Sequence, residues 1–151
     1  MEDGARKVIA RNRKALHEYH IEDTYDAGLV LQGPEVKSIR GNRVSLSEAF
    51  ARVDNGEAWL FDMHVSPYDP ASRWNTDPVR PRKLLLTRRE LRRLIGATRE
   101  KGYTLVPLEL FLQKGLIKVR VGLGRGKKAH DKREDIKKRD AEREIQRAVK
   151  G

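Results

Sequence analysis

The stretch FARVDNGEAWLF, residues 50–61, predicts a β-hairpin and with it the class of the fold. Two runs suited to strands flank a turn at Asp54–Gly56, where Gly56 supplies the positive φ that such a turn requires. Trp59 and Phe61 lie two positions apart, so they share one face of the second strand, which we interpret as the face toward the core. The first expectation is therefore a protein built from short strands.

Runs on both sides of the hairpin predict further strands. Before it stand YHIEDTY and AGLVL within 19–31 and EVKSIR at 35–40; after it stand RKLLL at 82–86, TLVPLELFL at 104–112 and LIKVRVGL at 116–123. One helix is predicted as well, because Thr87 and Glu90 have the spacing of a capping box, an apolar stripe follows, and Gly102 ends the helix. This set of elements predicts a mainly β protein organised as a small closed barrel.

Composition narrows the class of function. The chain has 151 residues, enough for one domain, and 36% of them are charged, against about 25% in typical soluble domains. Its net charge of +11 makes a polyanion the leading partner. The absence of cysteine excludes disulfides and thiolate metal sites. No run resembles a signal peptide or reaches membrane-spanning length, so we expect a cytoplasmic protein that does not engage a membrane.

The C-terminal residues 124–151 differ from the rest in having almost nothing to bury. They hold eleven Lys and Arg against six Asp and Glu, a net charge of +5, with only three sizeable apolar side chains. Such a segment is expected to be disordered when free. Two acid-before-base pairs at i,i+4 spacing, Glu134 with Lys138 and Asp135 with Arg139, favour a helix once a partner supports the tail.

The sequence does not indicate a catalytic site, a metal site or a cofactor site. GLGRGKK, residues 122–128, has neither the spacing of a phosphate-binding loop nor that of a dinucleotide fingerprint. The four histidines, His17, His20, His64 and His130, lack further ligands at suitable spacing. No nucleophile motif is present. We therefore predict no metal, no cofactor and no enzymatic activity.

Nucleic-acid binding is favoured instead. Small barrels bind RNA by stacking aromatic side chains on bases and by holding phosphates with basic ones. The aromatic candidates stand beside polar or basic residues: Tyr19, Tyr25, Phe50 and Tyr68. The predicted helix adds a basic face, which consists of Arg88, Arg89, Arg92, Arg93 and Arg99. This face also favours a polyanion over simple solvation.

Six segments occur in an order that resembles a known family. NRKALHEY, AGLVLQGPEVKSIR, HVSPY, DPVRPRKLLL, KGYTLVPLELF and GRGKKAHDKRE follow one another between residues 12 and 134. They resemble the small protein B family, the SsrA-binding proteins of bacterial trans-translation. The resemblance implies an OB-like barrel with accompanying helices. It divides the chain into a flexible N-terminal arm, 1–10, a barrel that binds the tRNA-like domain of tmRNA, 11–123, and a basic tail that enters the ribosome, 124–151.

The resemblance also implies RNA-binding residues in the body. By matching motifs these are Asn12, Tyr19, Asp26, Phe50, Lys83, Leu85 and Thr87. Three depart from the usual pattern. Asp26 replaces a Glu and reaches less far by one methylene, Phe50 replaces a frequent Tyr and lacks its hydroxyl, and Thr87 replaces a His or Asn. Thr87 is at the same time the predicted helix cap, so a purely structural role is an open alternative.

For the tail, the resemblance implies contacts with the ribosome along the empty mRNA channel and at the decoding centre. The residues concerned are Gly126, Lys127, Lys128, His130, Asp131, Lys132, Arg133, Lys137, Lys138 and Arg139. The body would take the place of the missing lower half of a tRNA, and Gly124 and Gly126 would permit a bend between barrel and tail. Elongation factor Tu with GTP would bring the alanyl-tmRNA complex, and the protein would act as a monomer.

Two alternatives remain open from the sequence. A general RNA-binding barrel of ribosome assembly fits composition and fold equally, and only the ordered motifs argue against it. An RNA-processing enzyme that uses carboxylates without a metal is the second, although no arrangement of residues supports it.

Overall fold

The computed structural model describes residues 6–67, 77–99 and 102–126. Nine strands are found there: β1 Lys7–Arg11, β2 Tyr19–Leu29, β3 Val44–Ser45, β4 Phe50–Asp54, β5 Glu57–Phe61, β6 His64–Val65, β7 Arg82–Leu85, β8 Thr104–Gln113 and β9 Leu116–Gly126. Three helices accompany them in the same residues: α1 Arg13–Glu18, α2 Gly33–Arg40 and α3 Arg88–Arg99. No helix of the described residues has the length and apolar character needed to span a membrane. The predicted mainly β class is confirmed.

Seven strands form one antiparallel sheet in the order β1-β8-β9-β2-β7-β5-β4, and β3 pairs with β6 separately. The sheet curls around a core that includes Leu60, Leu110, Val119 and Val121. The curl brings β4 near β8, yet in the described residues the two end strands, β1 and β4, share no hydrogen-bonded pairing. Closure of the predicted barrel is therefore not shown.

The predicted hairpin is confirmed. β4 and β5 pair from Phe50 with Phe61 to Asp54 with Glu57, and the turn places Asn55 at φ 51° and Gly56 at φ 76°. The interpretation of Trp59 and Phe61 as core residues is wrong: Leu60 is fully buried between them, whereas the two aromatics are half-buried on the other face. Strand alternation puts Glu57, whose side chain is 45% exposed, on the same face as the aromatics, so this face is the one open to solvent.

The prediction of a strand at EVKSIR is wrong, because α2 covers these residues. Pro34 stands in the first turn, where its fixed φ suits a helix and its missing N–H costs nothing. The Glu35 carboxylate accepts a hydrogen bond from the Gln32 backbone N–H at 2.9 Å, as in a capping box. Ser38 and Ile39 are thereby buried on one side of the helix.

Glu35 also joins two arginines in a buried ion cluster. The Arg82 side chain is completely buried, and its Nε donates to Glu35 Oε2 at 2.8 Å. Arg80 Nε donates to the same carboxylate oxygen at 3.0 Å. The Arg82 guanidinium further donates to the carbonyls of Met63, at 2.6 Å, and Pro78, at 3.1 Å. The cluster ties α2, β7 and the segment before β7 into one unit.

The predicted helix at residue 87 is confirmed as α3. Thr87 and Glu90 form the capping box: the Thr87 N–H donates to Glu90 Oε1 at 3.0 Å, and the Glu90 N–H donates to Thr87 Oγ1 at 3.1 Å. Leu94 is buried beneath the helix, and Gly102 follows it at φ 96°.

Two strands of the sheet, β1 and β9, extend into the segments that were assigned to the arm and the tail. β1 was not predicted, and it pairs with β8 from Lys7 onward. β9 continues to Gly126, so the bend expected at Gly124 is wrong. Gly124 instead meets a requirement for close approach, since a Cβ there would lie 2.8 Å from the His20 carbonyl oxygen.

Candidate RNA-binding surface

Three of the seven body residues line one cleft. Asn12, Tyr19 and Phe50 border a volume of about 190 Å³, together with residues of α1 and of the first part of β8. They are distant in sequence and meet because β2 begins beside α1 while the curled sheet brings β4 against β8. The cleft joins an aromatic side chain from each of two strands, which is an arrangement suited to a nucleotide base.

Asn12 is a positioning residue in this cleft. Its side chain is 4% exposed, its Oδ1 accepts from the Ala15 N–H at 3.1 Å, and its Nδ2 donates to the Pro107 carbonyl at 3.1 Å. The first bond caps α1 and the second attaches the cap to β8. Asn12 therefore holds α1, and with it the start of β2 at Tyr19, against the body.

Phe50 belongs to an aromatic and basic surface on the outer face of β4 and β5. Its ring stacks on Phe61 with centroids 5.1 Å apart, and the Arg52 guanidinium lies 4.7 Å from the Phe61 centroid. Phe50 is 44% exposed, so an edge of this stack reaches solvent. Sequence reasoning missed Arg52 and Phe61, although the Glu57 charge on the same face was a signal that could have found them.

Lys83 and Leu85 continue that face across β7. Lys83 stands opposite Trp59 in the pairing of β5 with β7, and its Nζ lies 3.1 Å from Glu57 Oε1. Leu85 is 50% exposed and stands opposite Gly28 of β2, where a Cβ would lie 3.3 Å from Leu85 Cβ. An exposed leucine beside a lysine offers an apolar contact and a phosphate contact at adjacent points.

Asp26 lies on the same face of β2 as Gly28 and is held by two arginines. Arg120 Nε donates to Asp26 Oδ1 at 3.1 Å, and Arg6 donates to Oδ2. Partial burial by itself would raise the pKa of Asp26, but the hydrogen bonds from Arg6 and Arg120 and their charges lower the pKa below its ordinary value. The carboxylate stays charged and oriented, with lone pairs left for a hydroxyl or an amino group.

The ion pairs of Asp26 with Arg6 and Arg120 predict that Asp26 contributes to the loss of folding stability at low pH. Because the pKa of Asp26 is lower in the folded state, its contribution to stability is complete above its unfolded pKa of about 3.9. That contribution is lost as the pH falls through the folded pKa. The Asp26→Asn variant is expected to be less stable at pH 7 and to lose less stability on acidification. Urea titrations between neutral pH and the acid limit measure both effects.

The control for that experiment is Asp54→Asn, at an exposed carboxylate for which no ion pair is found in the described residues. It is expected to leave both stability and its acid dependence close to those of the unchanged protein. An Asp26→Asn curve parallel to the unchanged protein at every pH would contradict the stabilising ion pairs.

The Thr87 side chain is engaged in capping α3, and its hydroxyl also donates to Glu90 Oε1 at 3.0 Å. Gly126, the last residue of β9, pairs with Tyr19 of the cleft. The other tail residues lie outside the described residues: Lys127, Lys128, His130, Asp131, Lys132, Arg133, Lys137, Lys138 and Arg139. Tyr68 lies outside them as well.

Comparison with known proteins adds the family. The model of the family described as SmpB protein matches residues 9–151. The chain belongs to the SmpB protein family. Similar proteins include the SsrA-binding protein of Bacillus subtilis (strain 168), 56% identical over 99% of this chain and 96% of the relative. The SsrA-binding protein of Geobacillus kaustophilus (strain HTA426) is 58% identical over 99% of this chain and 97% of the relative.

A solved structure agrees in fold. A chain described under "tmRNA-SmpB: a journey to the center of the bacterial ribosome" aligns with a TM-score of 0.65 and 48% identity, over 78% of this chain and 82% of that one. The resemblance inferred from the six ordered segments is therefore confirmed at the level of the family. In the parts of the chain that the structure describes, no three His, Asp or Glu side chains are grouped closely enough to hold a metal.

Proposed function

We propose that the chain binds tmRNA and acts in trans-translation, the rescue of ribosomes stalled on mRNA that lacks a stop codon. The observation that carries this proposal is membership of the SmpB family along residues 9–151, with relatives described as SsrA-binding proteins. The similar chain of known structure is described with tmRNA and the bacterial ribosome, which supports both partners. Action on the ribosome corresponds to a cytoplasmic location.

The body supplies the grip on tmRNA. Tyr19 and Phe50 in the cleft offer stacking faces, Lys83 offers a charge for a phosphate, and Asp26 offers acceptor oxygens for a base edge or a sugar hydroxyl. Asn12 and Thr87 fix α1 and α3 around these groups through their capping bonds. The tRNA-like domain of tmRNA is the part we propose to be held, with the body in the place of the lower half of a tRNA.

The tail detects a ribosome whose mRNA channel is empty. Residues 127–151 follow Gly126 at the cleft and carry ten Lys and Arg. We propose that they become helical along the vacant mRNA channel, beside the decoding centre, where intact mRNA would compete for the same space. Tagging of the nascent peptide for degradation then follows from tmRNA. Elongation factor Tu with GTP delivers the complex, and the protein binds as a monomer without catalysis.

Loss of the Tyr19 ring is expected to weaken tmRNA binding. Tyr19→Ala should raise the dissociation constant by an amount equivalent to about 1–3 kcal/mol, because a base loses its stacking partner. Tyr19→Phe is the matched control and should bind nearly as the unchanged protein, since it keeps the ring. Equilibrium titration of a tRNA-like tmRNA transcript at fixed salt measures this. An unchanged dissociation constant for Tyr19→Ala would remove the residue from the site.

A second candidate is general RNA binding in ribosome assembly, which the basic composition would also serve. Binding to tmRNA, to a tRNA and to random RNA at physiological salt separates the two functions. Preference for tmRNA supports the proposal, whereas similar affinities and similar salt slopes on all three would support the alternative. Turnover of labelled RNA in the same mixtures would contradict the absence of catalysis.

A further inference from the structure

The solvent-exposed face of α3 is strongly basic, and this positive charge does not stabilise the helix. Arg88, Arg89, Arg92 and Arg93 are all exposed, and Leu94 is buried on the opposite side. Positions 88 and 92, and 89 and 93, are one turn apart, so the four guanidinium groups form two adjacent rows on one side of the helix.

Three of these arginines are unpaired in the described residues. Arg93 Nη2 donates to Asp23 Oδ2 at 2.7 Å and is neutralised by it. The acid within this part of the helix, Glu90, is turned back to Thr87 at the cap. No ion pair or hydrogen bond to Arg88, Arg89 or Arg92 is found among residues 6–67, 77–99 and 102–126.

This arrangement opposes the stability of α3. Arg88 and Arg89 stand in the first turn, where the positive end of the helix dipole favours acids and disfavours cations. Arg88 and Arg92 form a like-charge pair at i,i+4, which also destabilises a helix. A polyanion on this face would remove both penalties, so the face is better explained by a bound partner than by folding.

The position of the face indicates which polyanion. Arg88 follows Thr87 directly, and the exposed Leu85 on the outer face of β7 is two residues further back. Beside the helix, a groove of about 380 Å³ is lined by Arg92 and Arg93 of α3 and by Glu22 and Asp23 of β2. The basic face therefore begins directly after Leu85 and Thr87, two residues of the candidate RNA-binding surface.

We propose that Arg88, Arg89 and Arg92 bind backbone phosphates of the same tmRNA that the body holds, extending the contact from Leu85 and Thr87 along α3. This inference rests on the proposed function. The arginines contact phosphates and sense no base sequence, so they contribute through release of counterions.

The test compares salt dependence of binding to a tRNA-like tmRNA transcript. The triple variant Arg88→Gln/Arg89→Gln/Arg92→Gln is expected to bind more weakly and to reduce the slope of log K against log salt by about 2–3, close to one for each phosphate that is no longer neutralised. The control Lys7→Gln/Arg43→Gln/Lys114→Gln removes the same charge at exposed positions away from α3 and should leave the slope nearly unchanged. Replacement of the three arginines by Lys should retain most of the slope.

The outcomes are distinct. A triple variant whose slope equals that of the unchanged protein, or falls no more than in the control, overturns the inference. If the unchanged protein does not prefer the tmRNA transcript over random RNA, the proposed function fails instead. A circular dichroism spectrum like that of the unchanged protein, with a melting temperature equal to it or slightly higher because the unfavourable charges are gone, verifies that the glutamine variant is folded.

Discussion

Replacing Arg82 by Met is expected to lower the free energy of unfolding by about 3–5 kcal/mol, the range for removing one partner of a buried ion pair. Arg82 is completely buried and donates to the Glu35 carboxylate and to the Met63 and Pro78 carbonyls. Met fills much of the volume but donates nothing, so the Met63 carbonyl loses this donor away from water, and the Glu35 carboxylate loses its fully buried cation while keeping Arg80. Burial by itself would raise the pKa of Glu35, and bonds from Arg80, the Gln32 backbone and Arg82 lower it below its ordinary value.

The neighbouring residue provides the control for this experiment. Lys83→Met removes a cation from the same strand, but the Lys83–Glu57 pair is 39% and 45% exposed, so the expected change is within about 1 kcal/mol. Urea unfolding of both variants measures the difference. A decrease below about 1 kcal/mol in Arg82→Met would show that the buried cluster does not hold α2 to β7.

Deleting residues 127–151 is expected to abolish tagging on stalled ribosomes while leaving tmRNA binding largely intact. The deletion starts after Gly126, the last residue of β9, so the sheet and the cleft are retained. It lowers the net charge from +11 to +7, because the segment holds ten Lys and Arg against six Asp and Glu. A modest decrease in salt-dependent affinity is expected from that change.

The control for that experiment is a variant whose residues 127–151 have the same composition in a shuffled order. It distinguishes the effect of the charge of the tail from the effect of its sequence. It should restore the salt-dependent affinity but not the tagging. Tagging is measured in a translation system programmed with mRNA lacking a stop codon, and binding is measured with the tmRNA transcript. Equal decreases in binding and tagging on deletion would contradict the division of labour between body and tail.

Local signals account for the elements that sequence predicted well. The Asn-Gly turn determines the β4–β5 hairpin, since Asn55 and Gly56 both adopt positive φ. The Thr87–Glu90 capping box determines the start of α3. Both signals act within four residues of the chain and need no tertiary partner.

The errors occurred where a local signal was overlooked or where context decided. Pro34 and the Gln32–Glu35 bond start a helix at α2, whereas the strand prediction counted only alternation within EVKSIR. Which face of β5 is buried depends on the small Ala58 and the neighbouring core, not on aromatic content. β1 and α1 were missed because their stability comes from β8, through sheet pairing and through the Asn12 bond to Pro107.

The sequence by itself determined the family, the mainly β class, the hairpin, the capped helix and the excess of positive charge, because ordered motifs, turns, caps and composition are properties of the chain. Tertiary structure alone brought Asn12, Tyr19 and Phe50 into one cleft and placed Asp26 between Arg6 and Arg120. It also buried Arg82 with Glu35 and left three arginines of α3 without an acid in the described residues. These features depend on residues far apart in the chain. They form only when the sheet curls and the core is removed from water.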